Sequence, residues 1–134
     1  MSALFTRLAR SSVTHVAVAF LAMGSWAAFA NHTHPMPAPL YAGLIQGAIS
    51  ACITLVLKRG IEYLATRFEG LAGLILPPVI AGLISASLLT AIHMVADTPE
   101  IARTIAVPLT VATSYAAFYN LSLWRARKSD DKRS

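Results

Sequence analysis

The stretch LYAGLIQGAISACITLVL, residues 40–57, decides the fold of this chain. At 1.5 Å per helical residue it reaches roughly 27 Å, close to the ~30 Å thickness of a bilayer's hydrocarbon core. Its polar relief is Gln46, Ser50, Cys52 and Thr54. A helix of a soluble bundle needs a continuous polar face, and this stretch has none. Three further stretches read the same way: residues 13–30, 74–96 and 104–124. The chain is 134 residues long, 56% apolar and 13% charged. That charged share is about half of what soluble globular domains carry.

The 11 Lys and Arg and the 6 Asp and Glu all lie outside the four stretches, and their placement is asymmetric. Arg7 and Arg10 precede the first stretch. Residues 31–39 carry no Lys or Arg. Lys58, Arg59 and Arg67 follow the second stretch. Between the third and fourth stands Arg103, with Asp97 and Glu100. Arg125, Arg127, Lys128, Lys132 and Arg133 close the chain. Alternate connections are therefore basic, the pattern that the positive-inside rule imposes on membrane proteins. The expected fold is an all-α membrane protein, a single integral domain over residues 1–134. Its four transmembrane helices form two hairpins, both termini are cytoplasmic, and residues 125–134 form a basic tail.

The first stretch also admits a second reading. Two arginines, an apolar run and Ala28-Phe29-Ala30 have the outline of a secretory signal with its cleavage site. Cleavage there would leave three spans and a new terminus at Asn31. The bulky Trp26 and Phe29 near that site, and the matching hairpin design, favour a retained helix.

The connections carry local signals. Ile61, Leu64, Ala65 and Phe68 recur at helical spacing opposite Glu62, Thr66 and Arg67. They predict an interfacial turn or an extension of the second helix. Gly70 and Gly73 allow the chain to reverse. Pro77-Pro78 falls inside the third stretch, and the simpler reading starts the helix there, the alternative being a break. Small residues recur every four positions: Gly43 and Gly47 on the second helix, Gly82 and Ala86 on the third. Such stripes let helices approach closely, within the chain, in a homo-oligomer or against another membrane protein.

The spans hold no Asp, Glu, Lys or Arg, so the intramembrane carboxylate of a proton-coupled exporter is missing. No nucleophile–base pair, phosphate loop or carboxylate pair appears, and the expectation is no enzyme and no cofactor. The basic excess, a net charge of +5, suits membrane lipids with anionic headgroups. Without interleaved aromatic residues it does not suit nucleic acid. His15 and His93 would sit roughly 20 Å apart in depth, too far to share a haem. His32 and His34 in the first outside loop and His93 near the top of the third helix are candidate metal ligands, for copper, with Met36 and Met94 nearby. Asn120 and Gln46 are amides within spans and need partners. They are either glue between helices or the lining of a polar path.

The run 99–127 carries Ile101-Ala102 after the loop, Ser114-Tyr115 in mid-helix, and Phe118, Asn120, Trp124 and Arg125 at the inner end. It resembles the GtrA-like family of small four-span proteins. The second stretch ends Val56-Leu57-Lys58-Arg59-Gly60, without the family's Asn and Trp. The resemblance implies a bacterial inner-membrane protein, a translocator or accessory subunit handling a lipid-linked sugar for surface polysaccharide. Lys58, Arg59 and Arg125 would then hold a lipid phosphate, and Tyr119, Asn120 and Gln46 would line the path. The alternatives are a non-catalytic interaction subunit of a larger membrane complex and an outer-face copper binder.

Overall fold

The computed structural model describes residues 2–134. Between residues 2 and 11 it describes the side chains of Ala3 and Arg7, so Arg10 lies outside the described side chains. Four helices follow in order: α1 (Ser2–Ala30), α2 (Ala38–Ala65), α3 (Gly70–Val95) and α4 (Ile101–Arg133). The described residues include no strand. Each helix contains a stretch long and apolar enough to cross a bilayer, within Ser12–Ala30, Ala38–Ala65, Gly70–Val95 and Ile101–Arg133.

Large apolar side chains lie on the outside, and several polar ones lie inside beside an apolar core. Leu21, Leu83 and Ile84 are each more than 60% exposed, whereas Gln46, His93 and Asn120 are almost wholly buried. Large apolar side chains on the outside and hydrogen-bonded polar ones inside are what a hydrocarbon solvent selects, and the Asn120 Oδ1 departs from it. The chain is a multispan membrane protein with four apolar helices.

Several helix ends differ from the sequence expectation. α2 continues through the 61–65 segment to Ala65, which resolves the choice between interfacial turn and extension in favour of extension. α4 runs to Arg133, so the basic tail is helical. The third helix does not start at Pro77-Pro78. It starts at Gly70 and both prolines lie inside it. A proline within a helix lacks the N–H that would bond the carbonyl four residues earlier. Pro77 therefore frees the Gly73 carbonyl, and Pro78 frees that of Leu74. The helix survives because another residue bonds both, as described below.

The chain divides into two compact units. Unit 1 is Met1–Leu55 with Leu89–Pro108, and unit 2 is Val56–Leu88 with Leu109–Ser134. In unit 1, α1 and α2 touch backbone to backbone. A Cβ added to Gly24 would fall 2.8 Å from the Gly43 carbonyl oxygen, and one on Gly47 would fall 3.0 Å from that of Phe20. The glycine stripe of α2 is thus its contact with α1. In unit 2, Ile61, Ala81 and Ala116 form the buried core, flanked by Leu57 and Leu123. There Gly82 faces Thr113 at ordinary contact distance, 3.4 Å to its Oγ1, and Ala86 is partly buried.

Candidate functional site: a basic helix end and the amide beneath it

Unit 2 gathers five of the six residues proposed for a lipid phosphate and its path: Lys58, Arg59, Tyr119, Asn120 and Arg125. Lys58, Arg59 and Arg125 are exposed cations. Arg125, Lys128 and Lys132 lie three and four residues apart on α4, one face of the helix, and with Ser129 they line a shallow groove. The Lys128 ammonium sits 4.7 Å from the centre of the Trp124 ring, a cation–π contact that holds the lysine at the groove's edge. Among the described residues the one ion pair is His34–Glu100, in unit 1. None of the groove cations is in an ion pair among the described residues, although Asp130 and Asp131 stand in the same turns of α4.

Further back along α4, Asn120 is 1% exposed. Its Nδ2 donates to the Gly73 carbonyl at 3.0 Å and to the Leu74 carbonyl at 2.9 Å. These are the two carbonyls that Pro77 and Pro78 leave without donors. One side-chain amide supplies both missing hydrogens. Its Oδ1 is buried and has no hydrogen-bond partner. One turn further on, the Trp124 indole donates to the Gly70 carbonyl at 2.9 Å. The Arg127 guanidinium donates to the carbonyl of Ala65, the last residue of α2. Tyr119 does not offer a free hydroxyl either: it donates to the Glu62 carboxylate at 2.7 Å.

The sixth residue, Gln46, lies in unit 1 and belongs to a closed buried chain. Its Nε2 donates to Ser50 Oγ at 2.8 Å, and its Oε1 meets His93 Nε2 at 2.9 Å. His93 Nδ1 meets Thr98 Oγ1 at 2.7 Å. With an amide oxygen facing Nε2, the ring hydrogen belongs on that nitrogen, and Nδ1 accepts from the threonine. Gln46 is thus bundle glue, with its donor and acceptor both engaged. Thr98 also lines a hollow of about 200 Å³ with Tyr41, Asp97, Pro99 and their neighbours.

The three histidines named as metal ligands are not brought together. His93 uses both ring nitrogens inside the span. His34 Nε2 meets Glu100 at 3.1 Å. His32 bonds the Phe29 carbonyl and stacks on the Phe29 ring, centroids 5.0 Å apart. Among the described residues no three His, Cys, Asp or Glu side chains are placed to hold a metal ion.

Sequence reasoning missed Asn31. It is fully buried, accepts from the backbone N–H of Glu100 at 2.9 Å, and donates to Ala27 O at 2.8 Å and Thr104 Oγ1 at 2.7 Å. It caps the entry to α4, and Trp26 Nε1 bonds the Arg103 carbonyl in the same turn at 3.0 Å. The available signal was a lone amide following an apolar run. Comparisons with protein families, with curated proteins and with solved structures return no match to this chain.

Proposed function

We propose that this protein is a non-catalytic component of a bacterial inner membrane that holds the phosphate of a lipid-linked saccharide at its basic end, as a small translocator or accessory subunit in surface-polysaccharide assembly. The groove of Arg125, Lys128, Ser129 and Lys132 carries the reading. It is a set of cations outside any ion pair on one helix face, beside a tryptophan of the kind that sits at headgroup level. The resemblance of residues 99–127 to the GtrA-like family supplies the substrate class, a polyprenyl-phosphate sugar. The amides take a different part from a polar path. The donors of Gln46 and Asn120 are committed within the protein, so headgroup capture rests on the exposed cations Lys58, Arg59, Arg125, Lys128 and Lys132.

Gly43 and Gly47 pack against α1, so in the interaction-subunit alternative a partner would dock elsewhere.

The test uses the full chain in nanodiscs containing either polyprenyl phosphate or zwitterionic lipid alone. Binding of the anionic lipid should fall by roughly 100-fold when Arg125, Lys128 and Lys132 are all changed to Ala, taking about 1 kcal/mol for each cation near an anionic surface. Lys58→Ala with Arg125→Ala should fail to restore surface polysaccharide in a deletion strain while still inserting. Full complementation and unchanged lipid binding would remove the proposal.

A further inference from the structure

Residues 70–76, the first turns of α3, are joined to the rest of the helix by a weakened ladder. Pro77 and Pro78 supply no N–H to Gly73 and Leu74. The other end of the segment is Gly70, whose φ of 59° lies in the left-handed region that glycine tolerates. A Cβ placed there would meet nothing within 4 Å. The segment thus has a backbone joint at each end. Side chains of α4 hold it: Asn120 through the Gly73 and Leu74 carbonyls, and Trp124 through the Gly70 carbonyl. Asn120 keeps its Oδ1 buried and unpartnered in order to do so. An orphaned buried acceptor is unfavourable, so the amide is held there by its two donor bonds.

The geometry points to a hinged flap: residues 70–76 swing between Gly70 and the Pro77-Pro78 pair, and Asn120 is the latch that replaces the two N–H groups the prolines lack. Opening frees three acceptors together, the carbonyls of Gly70, Gly73 and Leu74, and uncovers the Asn120 amide oxygen, which has no partner in the closed form. In hydrocarbon nothing would satisfy them, so the latch stays shut there. Where water or the hydroxyl or ammonium groups of a ligand reach the segment, new donors take over and the open form is populated. This device goes beyond headgroup capture and stands without it.

Hydrogen exchange of the full chain in zwitterionic nanodiscs, resolved by peptide mass spectrometry, tests it. Asn120→Leu should speed exchange within residues 70–76 at least tenfold and leave residues 81–92 at the native rate. Adding Pro77→Ala and Pro78→Ala to that variant returns backbone donors to the two carbonyls and should bring exchange back to the native rate or below. The two proline substitutions alone should slow residues 70–76 relative to native. An unchanged rate in Asn120→Leu, acceleration spread equally over residues 81–92, or no recovery in the triple variant would each overturn the flap. If Asn120→Leu does not fold, native protein against the double proline variant decides: slower exchange supports the latch, and equal exchange overturns it.

Discussion

At Gly24 an added methyl would land 2.8 Å from the Gly43 carbonyl oxygen, and at Gly43 it would land 2.9 Å from that of Gly24. Backbone cannot yield as the end of a side chain can, so α1 and α2 would have to separate. Gly43→Ala should therefore destabilise the protein by about 1–3 kcal/mol, measured by denaturant titration in detergent micelles. Gly82→Ala is the contrast. Its Cβ would meet Thr113 at 3.4 Å, ordinary contact, and the change should stay within roughly 0.5 kcal/mol. The buried chain through His93 makes a second residue-scale prediction. Gln46→Leu leaves the His93 Nε2 hydrogen without an acceptor and should cost about 1–3 kcal/mol, whereas Gln46→Leu with His93→Phe removes both partners and should cost less than the two single changes added together. Thermal unfolding of the four proteins in the cycle measures the coupling. Equal sums would show that the histidine and the amide do not depend on each other.

Two helix ends in this protein are capped by side chains distant in the sequence. α4 begins where Asn31 accepts from the Glu100 N–H. Asn31→Ala removes that cap and leaves the Thr104 hydroxyl without its donor. The expected loss is about 1–2 kcal/mol, with faster hydrogen exchange confined to the first turn of α4. α2 ends at Ala65, whose carbonyl the Arg127 guanidinium bonds. A cation at a helix C-terminus also opposes the negative end of the dipole, so Arg127→Ala should fray the last turn of α2, and Arg127→Lys should fray it less. Helicity by circular dichroism at low and high salt would read the difference, which should shrink as salt rises. The sequence placed four helical spans, left the end of α2 open between an interfacial turn and an extension, and did not foresee that α4 runs to Arg133. Hydropathy stops reporting once a helix leaves the hydrocarbon, and at Ala65 the end of α2 is met by a hydrogen bond from Arg127. Pro77-Pro78 was misread for a related reason. From the local sequence, two adjacent prolines mark a helix start, and the amide that lets the helix continue through them lies 46 and 47 residues away from the carbonyls it serves.

For the molecule as a whole, the charge pattern predicts orientation. Reporter fusions after Lys128 and within residues 60–66 should read cytoplasmic, and fusions within residues 33–38 should read periplasmic, because the basic clusters flank alternate ends of the spans. A periplasmic C-terminus would overturn both that orientation and the headgroup reading that depends on it. The sequence by itself determined that this is a four-span helical membrane protein, since apolar length and the exclusion of charge from the spans are properties of the chain before it folds. It also marked the cations of the basic end, because charge cannot enter hydrocarbon and must collect outside it. Only the tertiary structure decided what the buried polar residues do. Gln46 and His93 satisfy each other, the two outer-loop histidines turn to Phe29 and Glu100, and Asn120 serves the carbonyls that two prolines leave bare. An amide in a span must find a partner in low dielectric, but its own neighbours in the sequence do not say which. The partner is chosen when helices pack, by which carbonyl or ring comes within about 3 Å.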